Sequence, residues 1–187
     1  MSPIVVEFSA RQPDRLARWW ADALGWDVHL GHRLDVRAGA TGPTLRFTAA
    51  DRGKDATNGV HLDLRSGTLD EQRLIVGRLI AAGARTTDVG QSGTAPWVVL
   101  ADPEDNEFCV LEPRADYNGT GPLAAVVVRS PDPAEAARWW QEETDMVRAE
   151  PAPGFASLRP VSGYGTHLEF LRSADGPDGM LRVLPEE

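Results

Sequence analysis

The 187-residue chain predicts an α+β fold built from repeats of one strand–helix–strand–strand–strand module. Two observations predict it. Val5–Trp20 reads VVEFSARQPDRLARWW and Val126–Trp140 reads VVVRSPDPAEAARWW, so a β-branched run, a Pro/Asp turn and a helical stretch ending in Arg-Trp-Trp recur. Around these copies, apolar spacing switches from the helical period to short strand-like runs in a repeating order.

The first module covers about Ile4–Ala50. Ile4–Phe8 is rich in Val and Ile, as a well-buried strand is. Asp14 is the expected helix cap, and Leu16, Trp19, Trp20, Ala23 and Leu24 form the stripe of a core-facing helix that stops at Gly25. Trp26–Leu30, Arg33–Arg37 and Thr44–Thr48 follow as strands. The second module covers about Gly59–Pro113. Val60–Leu64 is its first strand, and Thr68-Leu-Asp-Glu71 is a capping box for a helix running to Gly83. Ala84–Val89, Trp97–Leu100 and Glu107–Leu111 complete it, the last two joined through Asp102–Asn106.

A third module follows Asn118-Gly-Thr-Gly-Pro122, with a strand at Ala124–Arg129 and a helix from Ala134 to about Thr144. Phe155–Arg159 and His167–Leu171 are its later strands, and Met180–Leu184 is one more strand-like piece. Residues 1–115 thus read as a complete two-module domain, 116–122 as a linker and 123–187 as a third, partial module.

Net charge is −9, from 19 basic and 28 acidic residues, with no basic cluster, which argues against nucleic acid as a partner. Apolar runs are too short to span a bilayer, and no basic leader precedes the first strand. A single cysteine excludes an intramolecular disulfide and suits a reducing compartment, so a cytoplasmic location is expected.

The aromatic pair ahead of Leu24-Gly25, the strand His61-Leu-Asp-Leu64, Gly83-Ala84 after a long helix, and Asp102-Pro-Glu-Asp-Asn-Glu-Phe-Cys-Val-Leu111 together resemble the vicinal oxygen chelate superfamily, in its glyoxalase-like, bleomycin-resistance-like branch. The resemblance implies paired βαβββ modules that form a curved sheet around a cavity, here in one and a half copies of the two-module domain. It places that cavity between the first two modules. Metal-dependent members take one ligand from the first strand and one from the fourth strand of each module. Those positions fall on His61 and Cys109 in the second module, near Pro3 or Val5 and on Arg46 in the first, and on Glu169 in the third. Arginine, proline and valine offer no ligand, and two ligands fall short of the three that catalytic metal sites generally use. No metal and no cofactor are therefore expected.

Strand alternation assigns the remaining side chains to faces. Glu7, Thr44, Arg46, Thr48, His61, Asp63, Glu107 and Cys109 fall on the concave face, with Trp97 as an aromatic wall. His61 with Asp63 or Glu7 is the candidate acid–base group, because histidine titrates near neutrality and a carboxylate can orient it. Arg46, Trp97, Thr44, Thr48, Glu107 and Cys109 are the candidate ligand-binding residues. The competing reading makes these a relic cavity, with Arg46 ion-paired to Glu7 or Asp63, His61 hydrogen-bonded and Cys109 an inert thiol between apolar neighbours. Trp19, Trp20, Trp139 and Trp140 are expected in the core.

The function these observations favour is metal-independent binding of a small molecule, in a resistance or metabolite-binding role. Acidic charge and abundant aromatics favour a cationic ligand. The alternatives are a metal-independent lyase or isomerase with His61 as base, and an interaction scaffold with a vestigial cavity. The unpaired third module is expected to be closed either by the Met180–Leu184 tail or by its own kind in a homodimer.

Overall fold

The computed structural model describes residues 4–39, 42–51, 54, 56–149, 153–174 and 179–185; Pro3 lies outside them. The first module comprises β1 (Ile4–Ala10), α1 (Pro13–Leu24), β2 (Asp27–Leu30), β3 (Leu34–Arg37) and β4 (Thr44–Ala49). The second comprises β5 (Val60–Leu64), α2 (Leu69–Ala81), β6 (Arg85–Thr86), β7 (Val98–Ala101) and β8 (Glu107–Val110). A short 3-10 turn at Ala115–Tyr117 leads to β9 (Leu123–Ser130), α3 (Pro133–Glu143), β10 (Val147–Arg148), β11 (Phe155–Arg159) and β12 (His167–Arg172), and β13 (Leu181–Pro185) comes last. The fold is α+β, with curved sheets built from βαβββ modules.

Local chemistry sets the helix ends. Gly25 takes the left-handed conformation at φ 69° and its N–H bonds to the Ala21 carbonyl, which stops α1. Thr68 accepts from the Glu71 N–H at 3.0 Å, while the Glu71 carboxylate reaches the Gly67 N–H at 2.6 Å. Asp132 caps α3 through the Ala134 and Glu135 amides. Asp14 does not cap α1. Pro13 occupies the first helical position, so the helix begins two residues earlier than an Asp14 cap implies and Asp14 lies in its first turn. The amides of Arg11 and Gln12 ahead of it are met by the carboxylate of Glu104, from the second module, at 2.7 and 2.8 Å.

Strand order corrects the expected pairing of modules. The first and second modules do not share a sheet. One sheet runs β13-β1-β4-β3-β2, and the other runs β10-β11-β12-β9-β5-β8-β7-β6. The second and third modules therefore join edge to edge through antiparallel β5 and β9, with His61 opposite Val127 and Asp63 opposite Ala125. The tail strand β13 pairs antiparallel with β1 of the first module and does not close the third. Buried Asn58 ties the tail to the second module, accepting from the Met180 N–H at 2.8 Å and donating to Asn106 at 3.0 Å.

The helices cover the convex faces of both sheets in one core. Trp20 is buried among Phe8, Trp19 and Phe108, and its indole N–H donates to the Asp102 carboxylate at 3.0 Å. Trp19 donates to the Ala82 carbonyl at the end of α2, also at 3.0 Å. The first Arg-Trp-Trp thus locks α1 onto the second module. In the second copy Trp140 is buried, but Trp139 is 46% exposed, contrary to expectation. The Trp139 ring meets Trp140 edge-on at 5.0 Å, and it makes no hydrogen bond with the described residues of the kind that ties Trp19 to Ala82.

Candidate functional site

The first module contributes an open face. Glu7, Arg46 and Thr48 line a depression of about 910 Å³ together with Val5, Arg33 and Arg37. Thr44 lies in the same sheet, buried and level with Val5. Arg46 donates to Asp35 from Nε at 3.0 Å and from Nη2 at 3.3 Å, and Arg37 donates to the same carboxylate at 2.7 Å. Thr48 donates to the Phe8 carbonyl at 3.3 Å. Arg46 is therefore paired with Asp35, and neither Glu7 nor Asp63 is its partner.

The shared sheet brings the other candidates together. On its concave side β8 presents Glu107 and Cys109, β5 presents His61 and Asp63, β9 presents Ala125 and Val127, and β12 presents His167 and Glu169. Glu107 is occupied structurally, by an ion pair with Lys54 and by the Asn58 N–H at 3.3 Å. Trp97 packs at the rim of an apolar cluster containing Val99, Cys109, Leu111 and Tyr117, and the Arg114 guanidinium lies 5.9 Å from its ring centre.

His61, Asp63 and Cys109 form a buried titratable group. His61 Nε2 approaches Asp63 Oδ1 to 3.4 Å, and Oδ1 has no formed hydrogen bond. Burial pushes the Asp63 carboxyl up to about 7, helped by the nearby charge of Glu169. Burial also lowers His61 to about 4, and the Arg129 guanidinium adds to the shift. The Cys109 thiol, buried and donating to Asp63, is pushed far up and is held as the inert S–H that its apolar neighbours imply. At neutral pH the imidazole is thus neutral, while the acid beside it sits near half-protonation.

Sequence reasoning placed Glu169 on a ligand position of the third module but did not join it to this face, and it missed Tyr117. Tyr117 donates to Glu169 Oε1 at 2.9 Å and its ring meets His167 edge-on at 5.4 Å. Ser157 donates to the same oxygen at 3.4 Å. Burial raises Glu169 and lowers His167. These groups floor a pocket of about 500 Å³, walled by Phe155 and flanked by Arg148 and Arg159. The available signals were Tyr117, a lone aromatic in a Gly-rich linker, and the alternating His167/Glu169 pair.

The model of the glyoxalase-like domain matches residues 4–111. The chain belongs to the glyoxalase-like domain family. It carries the vicinal oxygen chelate fold of that family. Glyoxalase I from Zea mays superposes with a TM-score of 0.69 at 14% identity, over 100% of this chain and 75% of that one. A protein from Bacillus subtilis subsp. subtilis str. 168, provisionally described as a dioxygenase, gives 0.66 at 14% identity, over 99% and 69%. Likeness at this identity concerns the fold alone. No curated protein matches the chain. No helix among the described residues is long and apolar enough to cross a membrane.

The donor set departs from that of metal-dependent glyoxalase-like proteins. His61, Asp63 and Cys109 have ligand atoms within 4.8 Å of one another, and they are the one such group among the described residues. They fit a cation poorly. On this face β9 offers Ala125, Val127 and Arg129 and no donor, and Arg129 sets a positive charge beside His61. Glu169 is occupied by Tyr117 and Ser157. The open lone pair of Asp63 Oδ1 is better met by a proton, since a protonated carboxyl there faces a neutral imidazole acceptor.

Proposed function

We propose that this glyoxalase-like protein binds a small molecule without a metal, and that the ligand lies against Glu169 and His167 on the concave face of the third module. The supporting observation is the pocket of about 500 Å³, a volume typical of ligand sites, floored by buried polar groups and flanked by the Arg148 and Arg159 guanidiniums. With Glu169 pushed toward its neutral form, the two guanidiniums outweigh the Asp116 carboxylate and favour an anionic head group over the cationic ligand suggested by net charge, because a guanidinium binds carboxylate or phosphate through paired N–H groups. The role is resistance or metabolite binding.

Titration calorimetry against a panel of aromatic carboxylates and phosphates tests this reading. Binding should weaken by roughly tenfold in Arg148→Ala or Arg159→Ala and survive treatment with a chelator. No binding across the panel, or stoichiometric metal found by elemental analysis of the purified protein, overturns it. We also infer a homodimer, supported by the free outer edge of β13 in the first-module sheet; a strict monomer by light scattering at high micromolar concentration refutes it.

A second reading rests on the His61–Asp63 contact. A neutral imidazole beside a carboxyl of pKa about 7 is equipped to pass a proton, as in a lyase or isomerase. With Arg46 in the other sheet, Arg148 or Arg159 takes over its assigned role of holding an anionic substrate. Under this reading His61→Ala abolishes turnover of whichever ligand the panel identifies.

A further inference from the structure

We propose a second ligand site, for an organic cation, in the cleft where the first module meets the third. The cleft encloses about 530 Å³ and is lined by Trp26, from the turn after α1, by the Gly119–Pro122 segment, by Asp145, just past α3, and by Val161 and Tyr164, from the loop between β11 and β12. It lies apart from both concave faces and shares no lining residue with either depression.

Aromatic surface here is presented to solvent. Trp26 is half-buried, but Tyr164 is 73% exposed and Val161 64%. Large apolar side chains left this open beside a cavity commonly mark a binding site. The backbone that carries Tyr164 is held in place. Its backbone N–H donates to Ser162 Oγ at 3.2 Å, and that hydroxyl donates to the Tyr164 carbonyl at 3.0 Å. The next residue, Gly165, donates to the Gly119 carbonyl at 3.1 Å. The ring lies so close over Gly119 that a Cβ there would come within 2.8 Å of Tyr164 Cδ1. Gly119 is also at φ 94°, so any other residue is excluded twice over. A ring carried on a held backbone and resting against Gly119 loses less freedom on meeting a ligand than one on a loose loop.

Charge selects the ligand class. Asp145 is the one charged residue lining the cleft, and it makes no hydrogen bond or ion pair with the described residues. Aromatic faces attract cations through the ring quadrupole, and an unpaired carboxylate completes the complement of a quaternary ammonium or alkyl-guanidinium with an apolar arm. The other two depressions carry mixed charge, Glu7 and Glu143 with Arg33, Arg37 and Arg46 in one and Asp116 and Glu169 with Arg148 and Arg159 in the other, so of the three only the cleft has a carboxylate in a lining without guanidiniums. The chain's overall charge of −9 favours approach of a cation, and this cleft is where local charge agrees with it.

The experiment is a titration of the full chain with benzyltrimethylammonium, followed by calorimetry, alongside neutral benzyl alcohol. The cation should bind once per chain, at least ~10-fold more tightly than the alcohol. Asp145→Asn should weaken it by roughly tenfold and Tyr164→Ala by roughly fivefold. Both side chains are exposed, so the fold should tolerate either change, which a melting curve verifies. Arg148→Ala should leave the affinity unchanged, which separates this site from the Glu169 pocket. No binding up to about 10 mM, equal binding of the alcohol, or an affinity untouched by both Asp145→Asn and Tyr164→Ala overturns the proposal.

Discussion

The concave face of the first-module sheet carries Glu7, Asp35, Arg37 and Arg46 beside an open depression, whereas that of the shared sheet holds His61, Asp63, Cys109 and Glu169 with Tyr117 laid over it. Both faces are built from copies of the same βαβββ module and obey the same in–out alternation. Cross-strand register on the open face places Arg182, Glu7, Arg46 and Asp35 in one row of alternating sign. On the covered face Asp63 and Glu169 have no arginine bonded to them, and both are pushed toward their protonated forms. What separates the faces is the guanidinium partner, since Asp35 is as buried as Asp63 and Glu169 but is bonded to Arg37 and Arg46. A carboxylate beside a guanidinium is stabilised by it, while one taken out of water without such a partner is driven to hold a proton. The groups with displaced proton affinities therefore lie on the covered face.

The largest effect that can break this comparison concerns pH. The raised Asp63 keeps a proton in the folded state that the unfolded chain has released above its ordinary 3.8, so its contribution to stability falls as pH rises to about 7. The lowered His61 lacks a proton that the unfolded chain holds below 6.5, so its contribution rises with pH from about 4 to 6.5. The two slopes oppose and largely cancel. His61→Asn should expose the Asp63 slope, losing on the order of 3 kcal/mol between pH 4 and 7 relative to the parent. Asp63→Asn should expose the opposite slope, of similar or smaller size because His61 retains some solvent contact. Urea denaturation across pH measures both; identical slopes in parent and variants would remove the coupled pair.

On the open face the corresponding test is Asp35→Ala. It strips the acceptor from Arg46, whose side chain is only 11% exposed, and from the better-solvated Arg37. A loss of about 2 kcal/mol is expected, below the cost of orphaning a fully buried charge because water can reach both guanidiniums. Tyr117→Phe is smaller again. It removes the hydroxyl that donates to Glu169 and should cost about 1 kcal/mol in urea denaturation, with a further rise in the Glu169 pKa observable by NMR titration.

The elements were legible because their signals are local. Gly25, the Thr68–Glu71 box and the Trp19/Trp20 stripe act over one or two helical turns, and each appears in the structure in the role its residue type dictates. Which module joins which was not legible. The first strands of all the modules are similar β-branched runs, and whether β5 pairs with β1 or with β9 is decided by long-range packing that no window of sequence contains. The site divided along the same line. Alternation grouped His61, Asp63 and Cys109 correctly, since they sit on neighbouring strands of one module. It put Glu7, Arg46 and Thr48 on the right kind of face but in the other sheet. Tyr117 lies in the stretch that reads as a linker, and it reaches Glu169 and His167 only because that stretch passes over the shared sheet.

The smallest predicted effect tests the division itself. Glu7 was the alternative carboxylate for His61, yet it lies in the first-module sheet and makes no hydrogen bond or ion pair with the described residues. Its register neighbours are Arg46, already held by Asp35, and Arg182 on the exposed tail strand. Replacing it with glutamine keeps its shape and removes one charge from a wet, salt-screened row, so stability should move by no more than ~0.5 kcal/mol. Ligand affinity in the Glu169 pocket should not move at all, and any turnover that depends on His61 should survive. Were Glu7→Gln instead to abolish binding or turnover while the melting temperature held, the open face would be the working one, and the charge row across β13, β1, β4 and β3 would have to be reassigned from sheet stabilisation to ligand recognition.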